Sequence, residues 1–176
     1  AGYTASQVSA SMSGGGKLSK KGKGKYIARP TKKGEVKITV YASVDGKRTN
    51  MGSLPFRVKA VPSPVAYIRN AKKTKKGWLI DKSSLNATGS VSAKFSEPFM
   101  FKGIQWRVSG FTLSGMYKGQ MQDDKASSSR FTSKMKGIIN NARSGSTISI
   151  SGISVKRTDG FGGKRNIDSD LVIKLK

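Results

Sequence analysis

The stretch Leu54-Pro-Phe-Arg-Val-Lys-Ala-Val-Pro-Ser-Pro-Val-Ala-Tyr-Ile68 divides the chain. Phe56, Val58 and Ala60 alternate with Arg57 and Lys59, the pattern of a strand with one apolar face. Pro62 and Pro64 then remove backbone donors and push the residues before them towards extended backbone. A second apolar run, Val65 to Ile68, follows at once. The physical reading is a strand that leaves one module, a short stiff connector, and a strand that enters the next. A proline joint of this kind suits a strut better than a flexible tether.

Working outward, a length of 176 residues accommodates two small domains, with the boundary near residue 61. About 60 residues is close to the lower limit for a domain that folds alone. The first piece therefore reads as part of a larger domain or as one that leans on a neighbour or a second copy. The chain contains neither Cys nor His, which excludes disulfides, thiolate chemistry and zinc sites built from those residues. No apolar stretch approaches the length of a membrane span, and no signal peptide is visible. Formal net charge is +25, spread over both halves rather than gathered in a tail. A field of that size attracts nucleic acid, anionic headgroups or acidic proteins, and it also serves plain solubility. Composition alone leaves these readings open.

In the first piece, residues 3–12 read as one edge strand of small side chains. Gly14-Gly15-Gly16 breaks it, and Lys17 to Lys25 reads as a solvated Lys/Gly hairpin loop. The loop is not a P-loop, because neither Gly16-Lys17 nor Gly24-Lys25 is followed by Ser or Thr. Tyr26 to Arg29 is a short strand stopped by Pro30. From Glu35 to Ser43, Val36, Ile38, Val40 and Ala42 share one face, the cleanest β alternation in the chain. Asp45-Gly46 predicts a tight hairpin turn, since both residues tolerate positive φ. Return strands are expected over Lys47 to Met51 and again from Phe56.

The second piece opens with Val65 to Ile68. Lys72 to Gly77 reads as a basic loop closed by Trp78-Leu79-Ile80, and Asp81 as the cap of a short turn through Leu85. Further strands are expected at Val91–Phe95, Phe99–Phe101, Ile104–Val108 and Phe111–Met116. The period then changes: Phe131, Met135, Ile138, Ile139 and Ala142 fall on one helical face, predicting a helix over about 131–144. Gly145 occupies the position of a C-terminal cap. Gly137 weakens this helix by roughly 1 kcal/mol relative to Ala, and suggests a close approach to a sheet. Ile148 to Val155 returns to strand, Thr158 to Gly163 is a hairpin loop, and Leu171 to Leu175 is a closing strand. The expected fold is mainly β. A β domain over 1–61 with sandwich-like turn spacing precedes a β-rich α+β domain over 62–176 with one amphipathic helix.

Few residues suit catalysis. Asp123-Asp124 is the only adjacent carboxylate pair, and it reads as turn or helix-start chemistry in a polar loop rather than a metal site. The serines have no histidine to act as base, and no spacing singles out a Ser–Lys pair. The chain reads as non-enzymatic, with no cofactor. Base stacking needs exposed aromatics beside cations; Trp78, Phe161 and, more weakly, Tyr26 qualify by position. On exposure, charge and an aromatic anchor, the candidate partner-binding residues are Lys72, Lys73, Lys75, Lys76 and Trp78 in one loop. In the other they are Asp159, Phe161, Lys164 and Arg165.

Several segments carry a resemblance. Gly24-Lys-Tyr-Ile-Ala-Arg-Pro30, Gly34-Glu-Val-Lys-Ile-Thr-Val40, Asp45-Gly-Lys47, Phe56-Arg-Val-Lys59 and Val61-Pro-Ser-Pro-Val-Ala66 together resemble the C-terminal part of the GldM/PorM family. The Thr158-Asp-Gly160 turn ahead of a final strand also fits. The Lys/Gly character of residues 14–25 departs from the family. The resemblance implies an immunoglobulin-like β-sandwich for residues 1–61, its completeness left open, in a homodimeric periplasmic component of the type IX secretion and gliding motility machinery of Bacteroidetes. It implies an inner-membrane anchor outside this chain, partnered there with a GldL/PorL-type subunit of a proton-driven motor. It further implies contact with a ring of GldK/PorK-type and GldN/PorN-type proteins near the outer membrane. The alternative that composition supports is a basic protein that binds polyanions, nucleic acid or an anionic envelope polymer.

Overall fold

The alternation of Val36, Ile38, Val40 and Ala42 builds the central strand of a small sheet. A computed structural model describes residues 2–99 and 103–176 and divides the chain into two units, Ala1–Val61 and Pro62–Lys176. In the first unit the strands are β1 (Val8–Met12), β2 (Gly16–Gly22), β3 (Lys25–Pro30), β4 (Gly34–Val44) and β5 (Lys47–Val58). They form an antiparallel sheet in the order β1-β4-β5 and a separate hairpin, β2-β3. Asp45 and Gly46 both take positive φ, 51° and 77°, and close the β4-β5 turn as their chemistry dictates. Val36 and Ala42 are buried, and Tyr26 of the hairpin donates its hydroxyl to Val8 O at 3.0 Å.

Three expectations for this unit need correction. The first strand begins only at Val8, because Gln7 N bonds to Thr4 O and Thr4 N to Gln7 Oε1, closing a turn. Lys17 to Gly22 is not a loop but strand β2, paired from Gly16↔Pro30 to Lys20↔Tyr26. An exposed strand tolerates lysines well, and their self-repulsion blunts its free edge. The two return strands are one, 12 residues long; Pro55 does not interrupt it because β5 is an edge strand.

The second unit begins with β6 (Pro64–Tyr67), β7 (Lys72–Thr74), β8 (Gly77–Ile80), helix α1 (Lys82–Thr88), β9 (Ser92–Phe95) and β10 (Trp106–Tyr117). It continues with β11 (Gln120–Ala126), α2 (Ser133–Asn141), β12 (Thr147–Arg157), β13 (Lys164–Asn166) and β14 (Leu171–Leu175). A 7-stranded sheet runs in the order β11-β10-β12-β14-β8-β7, with β13 paired to β12 in line with β14. All its pairings are antiparallel except β14 with β8. β6 and β9 form a separate pair. The architecture is mainly β, an immunoglobulin-like unit and a β-rich α+β unit, as expected from the periodicities and the resemblance together.

Leu113, Ile148, Ile150, Ile153, Val155, Ile173 and Leu175 are wholly buried on the inner face of the large sheet, with Met135, Ile138 and Ile139 of α2. Thr132 caps α2, accepting Met135 N at 3.1 Å on its side chain. The helix ends at Ala142 in extended backbone, so Gly145 is no cap; it lies three residues on, φ 83°, and bonds to Leu175 O. Nor does Gly137 permit close packing. A Cβ there would meet only Tyr117 Cε2 at 3.9 Å, whereas one on Gly115 of β10 would meet Ile138 Cγ2 at 2.8 Å. The strand glycine, not the helix glycine, lets α2 approach.

Other differences are local. Asp81 stands at the N-cap of α1 without a side-chain bond, and the expected short turn is a second helix closed by left-handed Gly89. Residues 106–108 and 111–116 do not form two strands; they join in β10 through irregularities around Gly110, and Ile104 and Gln105 precede it. Lys72 to Gly77 is mostly a tight β7-β8 hairpin rather than a loop. Asp123-Asp124 lies in strand β11, not a loop, yet Asp124 does serve the helix start by accepting the Thr132 hydroxyl. Of the strand expected at Phe99–Phe101, residues 100 and 101 lie outside the described residues, and Phe99 is not in a strand.

Candidate functional site

The first predicted cluster sits on the β7-β8 hairpin at one edge of the large sheet. Register pairs Lys72 with Leu79 and Lys73 with Trp78. Thr74 Oγ1 donates to Gly77 O at 3.0 Å and accepts from Lys76 N, which fixes the turn. Gly77 has φ 121°, and a Cβ there would lie 2.4 Å from Val172 O, so only glycine lets β8 dock along β14. Lys72, Lys73, Lys75 and Lys76 are exposed, while Trp78 is half-buried with Lys73 Nζ 6.0 Å from its ring. Thr74, Lys75, Lys76, Trp78, Leu79 and Lys174 line a shallow cavity of about 370 Å³.

The second predicted cluster lies between β12 and β13. Asp159 accepts from Arg157 Nη2 and, through Oδ1, from Phe161 N at 3.1 Å. Partial burial raises the Asp159 carboxyl, but the bonds from Arg157 and Phe161 N outweigh it and hold the group below its ordinary value. Phe161 is about half exposed, held between Gly160 and Gly162, both at positive φ. Arg165 stacks its guanidinium 5.3 Å from the Trp106 ring. Lys156, Arg157, Gly160, Phe161, Gly163 and Lys164 line a hollow of about 410 Å³. The two predicted clusters share no lining residue and form separate sites.

The sequence reading missed a group beside the second cluster. Arg107 of β10 pairs with Lys156 of β12, and Lys156 with Lys164 of β13, so three exposed cations stand in one row across three strands. Next to the row is a hollow of about 510 Å³, lined by Arg107, Lys156 and Arg157 and by the loop Ser127-Ser128-Ser129-Arg130. It shares Lys156 and Arg157 with the smaller hollow. Ser109 also lines it and donates its hydroxyl to buried Ser154, whose own hydroxyl donates to Gly110 O at 3.2 Å. Arg157 Nε is buried and meets no acceptor among the described residues. The missed signal was cross-strand register: each cation alternates correctly with a buried neighbour, but their alignment is set by strand pairing that local pattern does not reveal.

Among the described residues, no group of three or more His, Cys, Asp or Glu side chains converges to hold a metal ion. No described helix is long and apolar enough to cross a membrane. The groups that line the three hollows are mainly cations, hydroxyls and a few aromatics. Comparison with known proteins yields two adjacent family matches. The family described as GldM third domain matches residues 1–59, and that described as GldM C-terminal domain matches residues 62–176. No individually curated protein matches the chain.

Proposed function

The chain belongs to the GldM family, and from that premise we propose that it is a non-enzymatic, force-transmitting module that couples an inner-membrane motor to an outer-membrane-associated ring. Family membership makes it a component of the type IX secretion and gliding motility machinery. The proposal goes further. The module works in the periplasm, is anchored to the inner membrane by a segment outside residues 1–176, and meets a GldL/PorL-type motor subunit through that segment. Its C-terminal unit docks on a GldK/GldN-type ring, and two copies associate.

The observation that carries this reading is the tiling of the chain by the third and C-terminal domain matches, with only the connector between them. Two surface features support it. In the first unit Leu54 is 67% exposed and Phe56 48% exposed, on an edge strand, where a second chain would cover them. In the second unit, Lys72, Lys73, Lys75, Lys76 and Trp78, with Asp159, Phe161, Lys164 and Arg165, offer basic rims with an aromatic at each.

The test is binding to an immobilised GldN-type ring protein. Reversing Lys72, Lys73, Lys75 and Lys76 to Glu, and separately replacing Phe161 and Arg165 by Ala, is expected to weaken binding at least tenfold for one surface. Unchanged affinity for both variants would remove these loops as the docking surface, and no binding by the wild type would remove the ring contact itself.

A further inference from the structure

The row of Arg107, Lys156 and Lys164 is unfavourable in the free protein. Like charges directly opposite one another on neighbouring strands repel, and no described acidic side chain forms an ion pair with them. Among the described residues, the single ion pair between side chains is Arg157 with Asp159. None of the three row cations takes part in it. The residues beside the row are chemically specific. Ser127, Ser128 and Ser129 present three consecutive hydroxyls on a loop that also ends in Arg130. Ser128 Oγ already accepts from Arg130 N at 3.2 Å, which orders the loop, and Val91 N holds it from behind by bonding to Ser129 O at 2.9 Å. An ordered loop of donors facing a row of cations across a hollow of about 510 Å³ is a concave anion site, not a flat charged face.

We propose that this hollow binds a phosphate monoester. Arg107 and Arg130 supply the planar forks that grip phosphate oxygens in pairs, and Lys156 a compact charge between them. Ser127 and Ser129 have hydroxyl protons to donate to the remaining oxygens. A second phosphoryl group fits the adjoining hollow, where Lys164 stands one strand over from Lys156. A carboxylate fills this site less well, having two oxygens rather than three for donors on both sides of the hollow. The larger hollow contains none of the residues proposed for ring docking, whereas the adjoining one shares Phe161 and Lys164 with them, so the test rests on Arg107, Arg130 and Lys156 alone.

Net charge of +25 binds any anion weakly, so the test compares variants of equal charge. One variant carries Arg107→Gln, Arg130→Gln and Lys156→Gln; the other carries Lys72→Gln, Lys75→Gln and Lys76→Gln on the remote hairpin. All six side chains are exposed, so both variants are expected to fold, with the first melting no lower than wild type because repulsion in the row is relieved. Glucose 1-phosphate and inorganic phosphate are titrated by calorimetry at 150 mM salt. Phosphatidate vesicles are compared with phosphatidylcholine vesicles by co-sedimentation. The row variant is expected to lose at least tenfold in phosphate affinity, and the hairpin variant less than twofold. Binding of both soluble phosphate and phosphatidate vesicles identifies a lipid headgroup as an accessible source, and binding of soluble phosphate alone identifies a free phosphorylated ligand. Equal losses in the two variants, binding to duplex DNA but to neither phosphate probe, or acetate binding as tight as phosphate, would each overturn the proposal.

Discussion

Adding one methyl group to Gly115 and one to Gly137 should move stability in opposite directions. A Cβ on Gly115 would sit 2.8 Å from Ile138 Cγ2 and 3.4 Å from Ile148 Cγ1. Both isoleucines are wholly buried, so neither can swing aside without disturbing its own neighbours. Overpacking of this kind costs about 1–3 kcal/mol. Reduced freedom of the unfolded chain offsets about 0.4–1 kcal/mol of that, leaving a net loss of about 0.5–2 kcal/mol. At Gly137 a Cβ meets only Tyr117 Cε2 at 3.9 Å, an ordinary contact. Replacing a helix-interior glycine by alanine then stabilises by about 1 kcal/mol. Urea unfolding followed by tryptophan fluorescence reads this cleanly, because Trp78 and Trp106 both lie in the second unit. With a slope of about 2 kcal/mol per molar, Gly137→Ala should raise the midpoint by about 0.5 M. Gly115→Ala should lower it by a similar amount, and adding Ile138→Leu, which removes the methyl at the clash, should recover part of the loss. A destabilised Gly137→Ala beside an unaffected Gly115→Ala would show that α2 meets the sheet through the helix glycine after all.

Thr132→Ala removes both the bond to Met135 N and the partner of Asp124, and should cost about 1 kcal/mol in the same fluorescence assay. Asp159 has its folded value held below the ordinary 3.8, so its contribution to the 157–161 turn is present above 3.8 and lost as pH falls through the lower folded value. Amide exchange at Phe161 should quicken over that acidic window, and Asp159→Asn should abolish the dependence. Replacing Leu54 and Phe56 by Glu should shift the sedimentation of the chain towards monomer while leaving its circular dichroism unchanged, since both side chains are exposed; an unaltered sedimentation profile would remove this edge from self-association.

What local pattern carries was legible. The alternation in β4, the Asp45-Gly46 turn, the helical face of α2 and the closing strand β14 all depend on neighbours within a few residues, where periodicity and turn chemistry act directly. What depends on partners distant in sequence was not. Lys17 to Gly22 looks like a loop until Tyr26 to Arg29 is available to pair with it. Gly137 looked like the contact glycine because it lies in the helix, but the crowding arises at Gly115, more than 20 residues earlier. The site divided in the same way. Exposed loops with an aromatic could be picked out one by one, whereas the Arg107–Lys156–Lys164 row exists only through strand pairing.

The bulges beside that row protect the core. On β10 the buried apolar side chains are Trp106 and Val108, then Phe111 and Leu113, so the inward parity changes once. On β12 they are Ile148 and Ile150, then Ile153 and Val155, with the change at Gly152, φ 56°. Strict alternation through either strand would have turned half the apolar residues outward, each at about 1.5–3 kcal/mol of lost burial. The irregularities meet, because Gly110 pairs with Ser154 and Thr112 with Ser151. Ladder bonds are disrupted there, and the polar groups find other partners: Ser154 with Gly110 O and Ser109, Ile167 N with Ile153 O. The step that keeps isoleucines inside therefore lies beside Arg107 and Lys156, with Ser109 lining the hollow between them and the serine loop. A purely structural bulge requires only its backbone groups to be satisfied. Cations aligned at that step, with serines on the facing loop, add repulsion that the fold does not need, and an anionic ligand would relieve it.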